Sequence, residues 1–182
     1  MEADLNELLA IDLEAGFEPL VRAYGQRLFA FVYAMSGNAA DAEEIAQDAF
    51  VKAHRALRRY EPQRVRELSL NAWLHRIALN VLRNRLRGRR LRMVPLDGEL
   101  SVADRAPGPE RQALDRAALR ELARQVSSLP EAHRAAVVLR CVQGLSYAEA
   151  ASLLSQPEGT VKSNVHRGLA TLRRRLDLSE VS

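Results

Sequence analysis

Two groups of polar and basic side chains in this sequence have the chemistry to bind nucleic acid. Arginine forks match phosphates and guanine edges, and amide and hydroxyl groups can hydrogen-bond base edges. The first group follows a helical pattern into an arginine cluster at positions 83–92, and its candidates are Trp73, His75, Arg76, Asn80, Arg83, Asn84 and Arg87. The second group lies near the C-terminus and comprises Glu158, Thr160, Lys162, Ser163, Asn164, His166 and Arg167. Both patterns predict contacts with DNA.

The second group occupies the second helix of a predicted helix-turn-helix, the unit that fits a DNA major groove. Two pairs, Ser146 with Glu149 and Ser155 with Glu158, have the spacing of a capping box, which marks where a helix begins. The small core is predicted to contain Leu145, Ala148, Leu154, Val161 and Val165, with Ala151 where the two helices approach closely. An αα-hairpin with a solvated polar face is the alternative interpretation.

The first group is less specific. Charge runs are usually solvated faces, and a lone tryptophan such as Trp73 is more often part of a core. A basic helix that carries amides and an aromatic ring can also hold single-stranded or melting DNA, through phosphate contacts and stacking. The residues alone leave both interpretations open.

A third feature is an acidic helix, which would repel phosphate. Its candidates for contact with a protein partner are Asp41, Glu44, Gln47, Asp48 and Lys52. Acidic side chains at a helix N-terminus also complement the helix dipole, which is the simpler interpretation. The other is a docking face for a partner with basic residues.

The composition excludes several other classes of protein. Apolar residues make up 47% and charged residues 27%, which is typical of a globular chain, and the formal net charge is +4. Cys141 is the single cysteine, and the four histidines are scattered without a catalytic or metal-ligand motif, so no enzyme activity, metal or cofactor is predicted. The sequence has no apolar run of about 18 residues and begins acidic, so we expect a cytoplasmic protein without membrane insertion.

The apolar spacing predicts an all-α fold with two small helical domains joined by an extended linker. An acidic arm at 1–16, either a short helix or a disordered lead-in, precedes a helical bundle at 17–92. Helices in this bundle are predicted from Phe17 to the Ser36-Gly37-Asn38 turn, from near Asp41 until Pro62 stops it, and from Ser69 or Asn71. Proline-rich residues 93–112 are predicted as the linker, and 113–178 as the helix-turn-helix domain.

Four segments resemble an extracytoplasmic-function sigma factor of bacterial RNA polymerase, which we assign to the primary sigma family. They are DAEEIAQDAFVKAHRAL from Asp41, NAWLHRIALNVLRNRLRGRR from Asn71, LPEAHRAAVVLRCVQGLSYAEAASLL from Leu129 and PEGTVKSNVHRGLATLRRRL from Pro157. The resemblance covers about two thirds of the chain. It implies three partners, namely core RNA polymerase through its largest-subunit clamp and flap, promoter DNA and an anti-sigma factor.

The resemblance also implies roles for individual segments. Residues 41–57 would dock on the polymerase clamp, and 71–92 would recognise and melt the minus-ten element, with Asn80 helping to read the non-template strand. The loop 63–70 would capture a flipped base, and the helix-turn-helix would read the minus-thirty-five element as duplex DNA. The linker would thread the polymerase near the RNA path.

The sequence departs from the family pattern at three positions in the helix-turn-helix. Asn164 and Gly168 stand where arginine and alanine are expected, and Ser155 stands where a turn glycine is common. These departures put the promoter sequence that the last helix reads in doubt. Two other functions are compatible with the residues: a stand-alone helix-turn-helix regulator, and a helical adaptor that binds only proteins.

Overall fold

The structure, a computed structural model, describes residues 2–90 and 125–179, and all regular structure among them is helical. The first range contains α1 (Glu2–Ile11), α2 (Leu13–Ser36), α3 (Ala39–Leu57), α4 (Pro62–Arg66) and α5 (Leu70–Arg90). The second contains α6 (Glu131–Val137), a π-helical turn (Val138–Val142), α7 (Tyr147–Leu154) and α8 (Glu158–Ser179). The all-α fold class is confirmed for these residues, whereas the predicted linker at 93–112 lies outside them.

The described residues divide into two compact units, one formed by residues 2–33 with 40–90 and the other by residues 34–39 with 125–179. In the first unit the long helices α2, α3 and α5 each bury one apolar face. The fully buried side chains of these faces include Leu20, Leu28, Phe31, Val32, Ala42, Ile45, Ala49, Ala53, Leu70, Leu74 and Ala78. Between α2 and α3, the rings of Phe17 and Phe50 meet edge to face with centroids 6.4 Å apart. Burial of this apolar surface is the main driving force for the bundle.

The N-terminal arm is helical and is continuous with the first unit. Its first part forms α1, and α2 begins at Leu13 rather than at Phe17 because the Asp12 carboxylate accepts a hydrogen bond from the Ala15 backbone N–H (3.0 Å) as an N-cap. The predicted end of α2 is confirmed, since Gly37 turns the chain with a φ of +70°. The expected role of Pro62 is wrong. The helix α3 ends earlier, and Pro62 opens α4, where its fixed φ suits a first turn.

The first predicted capping box is confirmed and the second is wrong. Ser146 Oγ accepts from the Glu149 N–H (3.1 Å), and Glu149 Oε2 accepts from the Ser146 N–H (2.8 Å). Ser155 instead ends α7 in the left-handed conformation, with φ 55° and ψ 45°. A serine there carries the steric cost that a glycine would avoid.

The helix-turn-helix core differs from the prediction at one position. Ala148 is exposed, because α7 begins at Tyr147 and this register turns residue 148 away from α8. The buried side chains of this core are Leu145, Ala150, Ala151, Leu153, Leu154, Val161 and Val165.

A close approach of α6 and α8 explains one departure from the family pattern. A Cβ atom at Gly168 would lie 2.6 Å from Cγ2 of Val137, a buried and stiff side chain. Gly168→Ala should therefore lower the free energy of unfolding of the second unit by about 1–3 kcal/mol. Gly159→Ala, on an open position of the same helix, should raise it by about 0.5–1 kcal/mol. Urea unfolding followed by circular dichroism measures both; a Gly168→Ala chain as stable as Gly159→Ala would contradict the packing argument.

Candidate nucleic-acid and protein interfaces

Most of the side chains predicted to bind DNA on α5 share one face of that helix. Trp73, Arg76, Asn80, Arg83, Asn84 and Arg87 follow one another at intervals that keep them within about a third of the helix circumference. Trp73 is half-buried and the other five are exposed. The face thus combines an aromatic ring, two amides and three guanidinium groups, a set that can contact phosphates and unstacked bases.

Two further residues, which were not among the predicted DNA contacts, extend this face toward α4. The ring centroid of Tyr60 lies 6.1 Å from that of Trp73. On Tyr60, the guanidinium carbon of Arg64 lies 3.9 Å from the ring centroid, a cation–π contact. Tyr60 lies beyond the end of α3, so no helical spacing connects it to Trp73 in the sequence.

His75 is not available for DNA contact, and that prediction is corrected. It lies two residues after Trp73, on the opposite side of α5, and is fully buried. Its Nδ1 is 2.7 Å from the backbone oxygen of Asn71, and its ring meets Phe31 of α2 edge to face at 4.9 Å. His75 is therefore a core residue that fixes α5 against α2.

The predicted loop at 63–70 is shorter than expected, because residues up to Arg66 form α4 and leave only 67–69 between α4 and α5. The Asn6 side chain of α1 holds the C-terminal end of α4. Its Nδ2 donates to the backbone oxygens of Val65 (3.1 Å), Arg66 (3.0 Å) and Leu68 (2.8 Å). The last carbonyls of a helix have no partner within it, so this amide acts as a cap supplied by another helix.

Two acidic side chains of α1, Glu2 and Glu7, bind the start of α5 and Arg66 of α4. Glu2 Oε1 accepts from the backbone N–H of Leu70 at 2.7 Å, where α5 begins. The Glu7 carboxylate binds Arg66 through Nε (2.7 Å) and a terminal nitrogen (3.1 Å). The Arg66 hydrogen bond lowers the pKa of Glu7. Burial, together with the charge of Glu2 and a hydrogen bond to it, raises the pKa of Tyr24 to about 12.

The acidic helix α3 carries two sets of polar side chains, one that forms ion pairs with α5 and one that is exposed to solvent. Asp41 is buried, and its Oδ1 lies 3.3 Å from Arg85 of α5, which also forms an ion pair with Glu44. The hydrogen bond that Arg85 donates to the Glu44 carboxylate raises the pKa of Arg85. Asp41 therefore ties α3 to α5 and has little surface for a partner, which corrects its predicted role.

Three predicted docking residues, Gln47, Asp48 and Lys52, are exposed and adjoin Glu44 on α3. Val51 lies among them with half of its surface exposed, and sequence reasoning missed it. No specific signal in the sequence marks Val51, because single exposed apolar residues are common on protein surfaces. This surface, residues 44, 47, 48, 51 and 52, is called the α3 face below.

The second helix of the helix-turn-helix presents most of its predicted residues to solvent. Glu158, Thr160, Lys162, His166 and Arg167 are exposed, and Ser163 is half-buried. Lys162 Nζ lies 2.8 Å from Glu158, one turn earlier, and this hydrogen bond raises the pKa of Lys162. Arg173 and Arg174 extend the exposed basic surface toward the end of α8.

Asn164 is the exception on α8, and its predicted contact with DNA is corrected. It is buried, and its Nδ2 lies 3.4 Å from the side-chain oxygen of Gln156 in the turn. Position 164 falls on the side of α8 that carries Val161 and Gly168. Asn164 therefore joins the turn to α8 and is not part of the exposed face of this helix.

Two features are absent from the described ranges, 2–90 and 125–179. No group of three or more His, Cys, Asp or Glu side chains there could hold a metal ion. No helix there is long and apolar enough to cross a membrane.

The sequence matches two family descriptions: Sigma-70 region 2 over residues 20–92, and Sigma-70, region 4 over residues 119–172. The ECF RNA polymerase sigma factor SigE of Mycolicibacterium smegmatis is 36% identical over 86% of this chain, which spans 60% of that protein. The ECF RNA polymerase sigma factor SigW of Bacillus subtilis is 30% identical over 88% of each chain. These relatives are named as extracytoplasmic-function factors, so the expected assignment to the primary sigma family is wrong.

Solved structures give the same result. CnrH in complex with the cytosolic domain of CnrY is similar with a TM-score of 0.68 and 26% identity over 97% of each chain. The sigma factor RpoE of Bartonella quintana, in complex with the anti-sigma factor NepR, has a TM-score of 0.68 and 25% identity, covering 88% of this chain and 96% of that one.

Proposed function

The chain belongs to the extracytoplasmic-function sigma factors of the sigma-70 family, and we propose that it binds core RNA polymerase and directs promoter recognition, DNA melting and transcription initiation at a stress- or signal-responsive regulon. The observation that supports this most is the single exposed face of α5, which combines Trp73 with amides and guanidinium groups. A stand-alone helix-turn-helix regulator is not favoured, because it would need neither this face nor the α3 face. Polymerase would supply the chemistry, and this chain would have no catalytic residue.

The minus-ten element would be melted and read by the first unit, within the proposed domain at 17–92. Trp73 would stack on an unpaired base while Arg76, Arg83 and Arg87 contact phosphates, and Asn80 and Asn84 would hydrogen-bond base edges. The segment that follows α4 would receive a flipped base. The cost of flipping, about a few kcal/mol, is offset by such stacking and backbone contacts.

The minus-thirty-five element would be read as duplex DNA by α8, within the proposed domain at 113–178. The exposed residues Glu158, Thr160 and Lys162 lie in its first turns, where a recognition helix meets base edges. His166, Arg167 and the exposed arginines near its end would contact phosphates. Ser163 is half-buried and would contribute at the edge of this surface.

The α3 face would dock on the clamp of the polymerase, whose partner surface should be basic with an apolar centre for Val51. The helix-turn-helix domain would lie at the flap, and residues 93–112 would connect the two domains. We also propose that an anti-sigma factor binds this chain in the bacterial cytoplasm. The support is that two similar proteins, CnrH and RpoE, were solved with CnrY and NepR.

Reconstitution with bacterial core RNA polymerase tests the proposal. We expect the chain to co-elute with core enzyme and to start discrete transcripts from sheared genomic DNA of its source. Aligned start sites would give both promoter elements. A folded chain, free of any inhibitor, that neither co-elutes nor starts transcripts would refute the proposed function. A helical adaptor that binds only proteins is distinguished by its lack of salt-dependent affinity for DNA.

A further inference from the structure

We propose that α1 is a positioning element for base selection at the minus-ten element, acting through Asn6 and Glu2 on residues 67–69. This inference rests on the proposed function, in which the segment after α4 receives a flipped base. The observation behind it is that one helix caps both ends of this short segment from outside.

The first contact is the amide of Asn6, which is buried against the end of α4. Its Nδ2 carries two hydrogens and lies within 3.1 Å of three backbone oxygens, those of Val65, Arg66 and Leu68. Only a donor satisfies these oxygens, so the network fixes the orientation of the amide. The three oxygens can converge only if the backbone after α4 bends toward α1. The Asn6 amide therefore selects one backbone path for residues 66–68.

The second contact is the carboxylate of Glu2 at the start of α5. This helix has no acidic residue in its own first turn. Glu2 supplies the missing anion, and its Oε1 accepts from the first backbone N–H of the helix, that of Leu70. The N-terminal end of α5, from which Trp73 projects one turn later, is thereby fixed relative to α1.

Between these two caps only Glu67, Leu68 and Ser69 remain, and Glu67 and Ser69 are exposed. A segment this short, with both ends fixed, has few conformations left, so a base entering it meets a preformed set of backbone groups. Preformed groups discriminate between bases, because a wrong base leaves polar atoms unpaired. If the caps are lost, the segment can adapt to several bases, and selectivity should fall while melting by the α5 face continues.

The test uses the full chain reconstituted with core RNA polymerase on four templates that differ only in the base captured at the minus-ten element. Asn6→Asp keeps the shape but replaces the donor with an acceptor facing three carbonyls. Glu2→Ala removes the other cap, and Glu2→Gln keeps an oxygen that can accept. Val32→Ala, in the buried core of α2, is the control for a general loss of stability.

We expect the ratio of transcription between the best and worst base to fall roughly tenfold in Asn6→Asp and Glu2→Ala. It should recover largely in Glu2→Gln and stay unchanged in Val32→Ala. Unchanged ratios in Asn6→Asp and Glu2→Ala, or an equal fall in Val32→Ala, would overturn the inference and leave the proposed function intact. A wild-type chain that starts no transcript would overturn both. If the Asn6→Asp chain does not fold, the transcription ratio measured with Glu2→Ala tests the inference by itself.

Discussion

A chain carrying Gln47→Lys and Asp48→Lys should lose affinity for core RNA polymerase by about 100-fold or more, because placing like charges against each other costs several kcal/mol. Both side chains are exposed on the α3 face, and of the two only Asp48 interacts with Arg85, through a charge interaction weaker than those of Glu44 and Asp41. The first unit should therefore remain folded. Fluorescence anisotropy of the labelled chain, titrated with core enzyme at fixed salt, measures the affinity.

The matched control is Glu18→Lys with Gln26→Lys on the exposed side of α2, which makes the same two types of substitution and the same change in net charge. The only ion pair among the described residues that it removes is the surface pair of Glu18 with Arg22. A pair of this kind contributes about 0.2–0.5 kcal/mol to the stability of a helix. If the α2 variant loses as much affinity as the α3 variant, net charge rather than the α3 face governs docking, and the proposed interface is wrong.

Arg167→Ala should reduce transcription from a promoter that depends on its minus-thirty-five element by about 10- to 100-fold, since one well-placed contact to DNA is worth about 1–3 kcal/mol. Arg167 is exposed on α8 beside His166, and its side chain is free to face a groove or a phosphate. In vitro transcription on templates with and without the minus-thirty-five element measures the loss, which should be confined to the first template.

Two comparisons make this result specific. Asn164→Ala changes a buried residue on the same helix and should leave minus-thirty-five preference within about twofold of wild type, because its weak bond to Gln156 contributes at most about 1 kcal/mol to stability. A repeat at several salt concentrations separates the two kinds of contact. Loss of a phosphate contact weakens binding to all sequences and lowers the salt slope by about one, whereas loss of a base contact changes sequence preference. Equal loss on both templates would contradict a role for α8 in element recognition.

The sequence alone identified the helical class, the helix-turn-helix and most of the polar residues that share one face of α5. These features depend on spacing of three and four residues and on caps such as Ser146 with Glu149, which lie close together in the chain. The resemblance of four segments to the family then indicated which face would meet DNA and which would meet polymerase. Local patterns failed at Ser155, which ends α7 instead of capping α8, and at Pro62, which opens α4 instead of ending α3.

The burial of individual polar residues was decided by tertiary packing. His75 and Asn164 have side chains that suit DNA, and only the rotation of α5 against α2 and of α8 against its neighbours turns them inward. A polar residue within a polar run has the same local pattern whether it faces solvent or a core. Asp41 belongs to the same class, since its pairing with Arg85 joins positions on two helices that the chain pattern does not relate.

The N-terminal arm gives the clearest contrast. Its sequence left a short helix and a disordered lead-in equally open, because a helix of ten residues is marginal by itself. Packing on the first unit, with Asn6 and Glu2 bonded to backbone groups about sixty positions away, makes it a part of the fold. The sequence by itself determined where the long helices of the two units lie, because their apolar spacing and hydrogen bonding are local. The tertiary structure decided which polar side chains are surface and which are structural, because that depends on contacts between residues far apart in the chain.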